Sequence, residues 1–357
     1  MKPELKQPVI NSAETTSLLD TAVDDGVLDR AFAWLCEQRK DYSQNSDIVD
    51  FRRKWPDSKD AFIADVLSGD YLFSPVNRYY IDGQTVSVWA ARDALLLKAM
   101  TSVLEGHLVP LLPSCCTHIK GNGGAKEAIR RTVEELKPGR FVLRTDVRQY
   151  YESVDHYLLY NLLCDLVPDR EFCRLVLRAL NHAVIFEGNW REVNRGLSRS
   201  NPMSPLLGAV ALLPLDQAMQ ELPVFYCRYM DDWVIITDSR WQLRKAIRKM
   251  HEVLNELRFT LHPDKTSIGR VEKGFDFLGC HLSLGNKLRP ASSATQRVQE
   301  KLTRLYEQGA DSFRIGCYLL RWCAAFRGGG SVFRAAEFGS MTRALEQSFF
   351  FAALLLV

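Results

Sequence analysis

The sequence lacks the features that mark secreted, zinc-binding or membrane-spanning proteins. Its nine cysteines include no CxxC pair, which favours a reduced protein without structural zinc. The longest apolar run, 349–357, is about half as long as a bilayer-spanning helix requires. Residues 1–16 have neither the apolar core nor the cleavage site of a signal peptide. We therefore expect a cytoplasmic protein that contacts no membrane.

The composition is that of a folded globular protein, and the charge is unevenly distributed. Apolar residues make up 46% and charged residues 25% of the 357 positions, a length that predicts two or three lobes. Residues 1–70 contain nine basic and fourteen acidic residues, whereas residues 240–305 contain fourteen basic and six acidic residues. A basic C-terminal third is expected where a protein contacts a phosphate backbone, although a solvated helix face carries such charges too.

The hydrophobic spacing predicts interspersed helices and strands without a regular βα repeat, which favours an α+β fold with an antiparallel sheet. Helices are expected at 17–40, 47–69, 92–104 and 240–258, after the glycine-rich loop 118–124, from His156 onward, and twice within 292–326. Strands are expected at 141–147, along FDFLGCHL (275–282), and in two hairpins, one around Asp82-Gly83 and one within 226–237 with two acids at its turn.

Three carboxylates follow strand-like apolar runs. Asp146 ends FVLRTD, and Asp231 and Asp232 interrupt YMDDWVII. A charge beside a buried strand is unfavourable unless it is paired, and a divalent cation is a strong partner. Mg²⁺ prefers carboxylate oxygens and shares them with substrate phosphates, and a pair of ions about 4 Å apart promotes displacement of pyrophosphate. An isolated Asp-Asp pair, however, is more often a plain turn.

Five segments in order resemble the motif series of reverse transcriptases. They are FVLRTDVRQYYESV, RGLSRSNPMSPLLGAVALLPLD, YCRYMDDWVII, HPDKTSIG and GFDFLG, with Asp231 following Asp146 by 85 residues. Upstream, the Arg92-Asp93 region and HIKGNGG (118–124) resemble finger motifs of bacterial, group II intron-like members. The resemblance covers residues 70–330 and implies a right-hand polymerase with fingers, an antiparallel palm and a short helical thumb.

The resemblance also implies a division of the chain. The expected segments are an N-terminal helical extension (1–70), fingers (71–140), palm (141–159), a connection between fingers and palm (160–200), further palm (201–285), and thumb with C-terminal tail (286–357). The apolar run 349–357 is expected to pack on the thumb or to form a subunit contact, since an exposed run of this kind promotes aggregation.

Roles at the catalytic site follow from the resemblance position by position. Asp146 and Asp231 would bind two Mg²⁺ ions, or Mn²⁺, with Asp232 as the third acid. Tyr151 matches the residue beneath the nucleotide sugar that disfavours a 2′-hydroxyl, with a core aromatic as the alternative. Lys265 matches a lysine near the triphosphate, although a solvated lysine accounts for it equally well.

Contacts with nucleic acid are implied at four positions. Leu278 and Gly279 match the strand that grips the primer, mostly through its backbone. Lys120 and Arg130 are candidates for contact with template or triphosphate phosphates, with plain surface placement as the alternative. None of the seven histidines has metal-site spacing with another, so we interpret them as structural.

One motif departs from the family pattern. Where Gln-Gly usually precedes a small residue and proline, this chain has Ser198-Arg199-Ser200-Asn201-Pro202. Arg199 would bring a charged set of donors to the nucleotide, and Ser200 removes the backbone freedom of glycine. The alternative is that Arg199 points to solvent and pairs with an acid such as Glu192.

The sequence therefore predicts an RNA-directed DNA polymerase of a small stand-alone type that uses an RNA template and deoxynucleotides. A dedicated noncoding RNA and a role in anti-phage defence are further expectations. One alternative is a nucleotidyltransferase of the same fold that works without a template or with ribonucleotides. The other is a non-catalytic, maturase-like RNA-binding protein, which the acidic triad disfavours because buried carboxylates without a cation are unfavourable.

Overall fold

The computed structural model describes residues 17–81, 84–285 and 287–327. Its helices are α1 (Leu18–Ala22), α2 (Asp25–Gln38), α3 (Asp47–Leu67), α4 (Ala91–Leu108), α5 (Gly124–Glu134), α6 (Tyr150–Ser153), α7 (His156–Leu166), α8 (Arg170–Leu180), α9 (Ser204–Ala211), α10 (Leu213–Gln220), α11 (Arg240–Glu256), α12 (Ser292–Glu307) and α13 (Ser312–Arg327). Its strands are β1 (Val76–Ile81), β2 (Gln84–Val88), β3 (Phe141–Asp146), β4 (Ala183–Phe186), β5 (Asn189–Glu192), β6 (Phe225–Tyr229), β7 (Asp232–Thr237), β8 (Ser267–Arg270), β9 (Phe275–Phe277), β10 (Cys280–Ser283) and β11 (Lys287–Pro290). The α+β class is confirmed, and the C-terminal run 349–357 lies outside the described residues.

The described residues form two compact units. The first unit comprises the described residues up to Leu111 together with Val154–Ala211. The second comprises Leu112–Ser153 together with the described residues from Leu212 onward. The chain thus leaves the first unit, returns to it and ends in the second. The sequence-based division into extension, fingers, palm and thumb stays a prediction.

Several helices begin at the side-chain caps that their sequences provide. Asp24, Asp155 and Asp169 each accept hydrogen bonds from backbone N–H groups in the first turn of α2, α7 and α8. Ser239 and Gln242 form a reciprocal capping box at the start of α11. Such caps satisfy N–H groups that have no partner within the helix, and each contributes about 1 kcal/mol.

Helix α4 is the buried centre of the first unit. Leu95, Leu96 and Leu97 are fully buried, and α4 packs against α1, α2 and α3. In the described part of the chain, residues 91–111 are the one segment long and apolar enough to span a membrane. Half of that segment is buried within the protein, so we interpret α4 as a core helix.

The sheet of the first unit combines two hairpins in the order β2-β1-β4-β5. The predicted first hairpin is confirmed by the pairing of Ile81 with Gln84, while its turn, 82–83, lies outside the described residues. The second hairpin was not predicted. All four residues of β5 are exposed, so β5 has no alternation of apolar and polar residues to indicate a strand.

The second unit contains an antiparallel sheet in the order β6-β7-β3-β8. Its β-branched residues Val142, Val234 and Ile236 join Phe277 and Leu282 in one apolar cluster. Helix α5 contacts β6, and α11 contacts β3 and β7. This packing fixes the register of the strands, because a shift of one residue would move every buried side chain to the opposite face.

The prediction of a single strand along FDFLGCHL is wrong. The segment is a hairpin of β9 and β10, followed by β11, with Leu278 and Gly279 at its two-residue turn. Both turn residues have left-handed backbone, at φ 48° and 78°. Phe277 and Cys280 are both buried although they are three positions apart. A continuous strand would place them on opposite faces, so the turn is what allows both to reach the core.

Candidate active site

Strand pairing in the second unit brings the three predicted acids to one end of the sheet. Asp146, the last residue of β3, lies directly opposite Asp232 of β7 in the antiparallel register. Asp231 lies in the two-residue turn between β6 and β7, and its carbonyl accepts a hydrogen bond from the backbone N–H of Val147 at 3.2 Å. The predicted hairpin with acids at its turn is confirmed, and it juxtaposes residues 85 positions apart.

The side chain of Asp146 is buried, and only one of its two carboxylate oxygens has a hydrogen-bond partner among the described residues. The ammonium of Lys265, in the 3₁₀ turn Pro263–Lys265, donates to Oδ2 at 2.7 Å. The other oxygen, Oδ1, is buried and has no hydrogen-bond partner among the described residues. A buried, unpartnered carboxylate oxygen is unfavourable, and coordination of a cation would satisfy it.

The other two acids differ in their surroundings. Burial, reinforced by the charge of Asp146, raises the pKa of Asp231 above its ordinary value. Burial raises the pKa of Asp232 to about 6, although Arg144 opposes the shift by donating to both carboxylate oxygens, at 3.0 and 2.7 Å. Burial is the main cause of both raised pKa values, so the ionised carboxylates lack a sufficient counter-charge, which a bound cation would supply.

The acids fit a divalent cation that is shared with substrate. Among the described residues, no group of three or more His, Cys, Asp or Glu side chains forms a complete metal site. The guanidinium of Arg144 already binds both oxygens of Asp232, which leaves Asp231 and the unpartnered Oδ1 of Asp146 to hold a cation. Mg²⁺ typically takes one or two carboxylates and completes its shell with phosphates and water. The role of Asp232 as a metal ligand stays a prediction.

Beneath the acidic turn lies a fully buried ion pair that our sequence analysis did not identify. Arg228 of β6 and Asp216 of α10 both have side chains with 0% exposure. The Nε of Arg228 donates to Asp216 Oδ1 at 2.7 Å, and the hydroxyl of Tyr226 donates to the same oxygen at 2.9 Å. The Nη1 of Arg228 donates to the carbonyl of Met230 at 2.8 Å, which links the pair to the turn.

Met230 itself has left-handed backbone, with φ of 57°. A residue without a short polar side chain adopts this conformation only when its surroundings enforce it. Here the surroundings hold both backbone polar groups: Arg228 binds the carbonyl, and the N–H donates to Nδ1 of His118 at 3.0 Å. His118 also lies edge-on to Tyr229 at 5.9 Å. These contacts fix the direction in which the next residue, Asp231, leaves the turn.

Two adjacent tyrosines differ in their burial. Tyr150 is buried and packs against Phe259 with ring centroids 5.4 Å apart, so it is the core aromatic. Tyr151 is half-buried and lies edge-on to Tyr150 at 5.9 Å. Gln149, with φ of 49°, turns the chain between Asp146 and this pair. Discrimination against ribonucleotides by Tyr151 stays a prediction.

The other predicted nucleic-acid contacts lie at three places in the second unit. Lys120 is exposed in the glycine-rich loop that precedes α5. Arg130, on α5, forms ion pairs with Glu127 and Glu134 of the same helix, which compete with any phosphate. Leu278 and Gly279 are half-buried at the β9–β10 turn. Their contacts with nucleic acid stay predictions.

Arg199 belongs to the first unit, on an exposed turn before α9. Ser200, which replaces the usual glycine, is not among the residues with left-handed backbone. Its hydroxyl accepts a hydrogen bond from Nε1 of Trp89 at 3.2 Å. The loss of glycine therefore causes no strain at this turn, and contact between Arg199 and a nucleotide stays a prediction.

Comparison with known proteins agrees with this geometry. The sequence profile of the family described as reverse transcriptase (RNA-dependent DNA polymerase) matches residues 90–282. Protein YkfC of Escherichia coli strain K12 is 26% identical over 263 residues, which cover 61% of this chain and 69% of YkfC. The group II intron-encoded protein LtrA of Lactococcus lactis is 20% identical over 201 residues, 55% of this chain and 33% of LtrA.

Among solved structures, a chain of a partial Cas6-RT-Cas1–Cas2 complex is similar, with 19% identity and a TM-score of 0.45. The similarity covers 68% of this chain and 42% of that chain. The chain thus spans a third of LtrA and less than half of this structural neighbour. The family profile matches more than half of the sequence and includes all three acids of the site. The chain belongs to the reverse transcriptase (RNA-dependent DNA polymerase) family.

Proposed function

We propose that this protein copies an RNA template into DNA by adding deoxynucleotides to a primer. The observation that carries the proposal is the meeting of Asp146 and Asp231 at one end of the sheet, where Asp146 has a buried oxygen without a partner. Membership of the family implies dependence on a divalent metal in general. The donors are carboxylate oxygens, so we propose two Mg²⁺ ions, with Mn²⁺ as a substitute.

The charged residues of this site would have different roles. Asp146 and Asp231 would hold the metal, which when bound activates the primer 3′-hydroxyl and stabilises the leaving pyrophosphate. Arg144 holds Asp232 in place through two hydrogen bonds. The ammonium of Lys265 is half-exposed and already lies at the edge of the acids, where a triphosphate would offer it an alternative anion.

Templated synthesis separates this proposal from its nearest alternative. Purified protein would be incubated with a defined RNA, an annealed DNA primer, Mg²⁺ and either the four deoxynucleotides or the four ribonucleotides, and the products sequenced. We expect DNA complementary to the supplied RNA. Products unrelated to the RNA, or products made only from ribonucleotides, would instead support a nucleotidyltransferase of the same fold.

Tyr151→Val is expected to raise ribonucleotide incorporation relative to deoxynucleotide incorporation by at least about tenfold. An aromatic ring beneath the sugar excludes the 2′-hydroxyl sterically, and about 1.4 kcal/mol of lost exclusion corresponds to a factor of ten. The measurement is kcat/KM for each nucleotide on one primer–template. Tyr157→Val, which shortens an exposed tyrosine, is the matched control. Unchanged selectivity in Tyr151→Val would place the discrimination at another residue.

Family membership supports fewer statements about the protein's biological setting. A nucleic-acid template and product follow from the family. A dedicated noncoding RNA, oligomer formation, a cytoplasmic location and a role in phage defence stay predictions. The maturase-like alternative differs from our proposal in one respect, because a non-catalytic RNA-binding protein would keep its cellular function when Asp231 is replaced.

A further inference from the structure

Four cationic side chains surround one cavity of the second unit, which we call the basic groove. The groove has a volume of about 420 Å³. Arg240 and Arg244 of α11, Arg270 of β8 and Lys273 line it together with Phe141 of β3. All four cations are exposed, and no carboxylate lines the groove among the described residues.

Glu272 balances these charges only in part: the N–H of Gly139 and, more weakly, the charge of Arg270 lower its pKa. None of the four cations forms an ion pair with a described residue. Two carboxylates on neighbouring segments have hydrogen-bond partners outside the groove: Glu272 accepts from the N–H of Gly139 at 2.6 Å, and Asp238 pairs with Arg140 at 2.7 Å. Like charges held around one cavity repel each other, so an anion from outside would relieve the repulsion.

Phe141 positions two of the cations without neutralising them. The guanidinium carbons of Arg240 and Arg270 each lie 5.5 Å from the centroid of its ring. Arg270 is also the direct cross-strand partner of Phe141 in the β3–β8 pairing. A cation–π contact restricts a guanidinium while its N–H donors stay available. The groove is therefore organised for an oxyanion, such as a phosphate, before any ligand arrives.

The basic groove is separate from the active site. Phe141 begins β3 and Asp146 ends it, so the two residues lie about 17 Å apart along the strand. Successive side chains of a strand alternate between faces, and positions five apart therefore point to opposite faces of the sheet. A triphosphate bound at the acids would not reach the groove.

We infer that the basic groove binds the phosphate backbone of RNA at a point outside the catalytic site. Several unpaired cations match a polyanion, and guanidinium groups bind phosphate oxygens through paired N–H donors. RNA is the polyanion that the proposed function already brings to the protein, and the inference rests on that function for this choice. The groove would hold a segment of RNA beyond the primer–template, which would raise affinity without changing the chemistry.

The test is the salt dependence of RNA binding by the double variant Arg244→Gln/Lys273→Gln. The probe is a fluorescein-labelled, unstructured RNA of about 40 nucleotides, titrated at several KCl concentrations without nucleotides. Each phosphate contact to a single strand contributes about 0.7 to the slope of log Kd against log salt. We expect the slope to fall by about 1.4 and binding to weaken about tenfold at ~150 mM salt.

The matched control is Lys245→Gln/Arg248→Gln, which removes one lysine and one arginine charge from exposed positions of α11 outside the groove. We expect nearly wild-type binding from it. Equal affinity and equal slope in the two double variants would overturn the inference. Single-stranded DNA of the same sequence is the second probe, and weakening confined to DNA would assign the groove to the product strand and overturn the RNA assignment.

Three further measurements support the interpretation of this test. Melting temperatures of both double variants should equal that of the wild type, since all four positions carry charged surface side chains, and the single variant Lys273→Gln should show about half of the slope change. The binding titration is repeated in an Asp231→Asn background. Unchanged binding there would show that the groove acts independently of catalysis, whereas a wild-type protein that fails to copy RNA but still binds it through the groove would refute the proposed function and leave this inference standing.

Discussion

Asp146→Asn and Asp231→Asn are each expected to lower the rate constant of primer extension by about a thousandfold or more. Asparagine keeps the shape of the side chain but removes the charge that would hold a divalent cation. Loss of that electrostatic stabilisation at the reacting phosphate is worth about 4 kcal/mol, which corresponds to three orders of magnitude. The measurement is single-turnover extension of a DNA primer on RNA at saturating Mg²⁺.

The matched control for both variants is Asp264→Asn. Asp264 is an exposed acid next to Lys265, in the same 3₁₀ turn, and it should be replaceable with less than a twofold change in rate. Extension by Asp231→Asn within tenfold of the wild type, or persistent extension by the wild type in excess EDTA, would contradict the two-metal proposal. RNA affinity should be unchanged in all three variants, which shows that each one is folded.

Asp216→Ala is expected to lower the free energy of unfolding by about 3–5 kcal/mol. Removal of this acid leaves the fully buried guanidinium of Arg228 without its counter-charge, and an uncompensated buried charge is far more unfavourable than the loss of an exposed ion pair. The measurement is urea unfolding of the whole chain. Glu221→Ala, which removes an exposed acid at the end of α10, should change stability by less than about 0.5 kcal/mol.

A double variant distinguishes this charge effect from loss of packing. Asp216→Leu combined with Arg228→Met should be less destabilising than the sum of the two single variants, because no buried charge is left behind. The double variant should nevertheless extend primers more slowly than the wild type, with a reduced kcat and a similar nucleotide KM. That split follows from the lost hydrogen bond to the carbonyl of Met230, which holds the turn carrying Asp231. A loss below about 1 kcal/mol in Asp216→Ala would contradict the interpretation.

The sequence by itself indicated β3, the β6–β7 hairpin and α11, and it indicated that Asp146, Asp231 and Asp232 meet, but it missed the β9–β10 turn. Local periodicity carries that information, as at α11, where the apolar spacing of a basic amphipathic segment predicted a helix at 240–258. The apolar run before each acid indicated carboxylates that need a partner, and the order of the motifs indicated a polymerase site through its resemblance to reverse transcriptases. Both features can be read along the chain without knowledge of which segments pack together.

Only the tertiary structure decided which charged side chains form ion pairs and which do not. Asp216 and Arg228 lie on different elements, and burial of both side chains makes their pairing obligatory. The basic groove likewise assembles from α11, β8 and the start of β3, three segments whose proximity depends on sheet order. The charge of a side chain is a property of one residue. The free energy of that charge in the folded protein depends on desolvation and on the partners that packing brings close to it. Packing brings cations of the basic C-terminal third around one groove, and it places the guanidinium of Arg228 against the turn that carries Asp231.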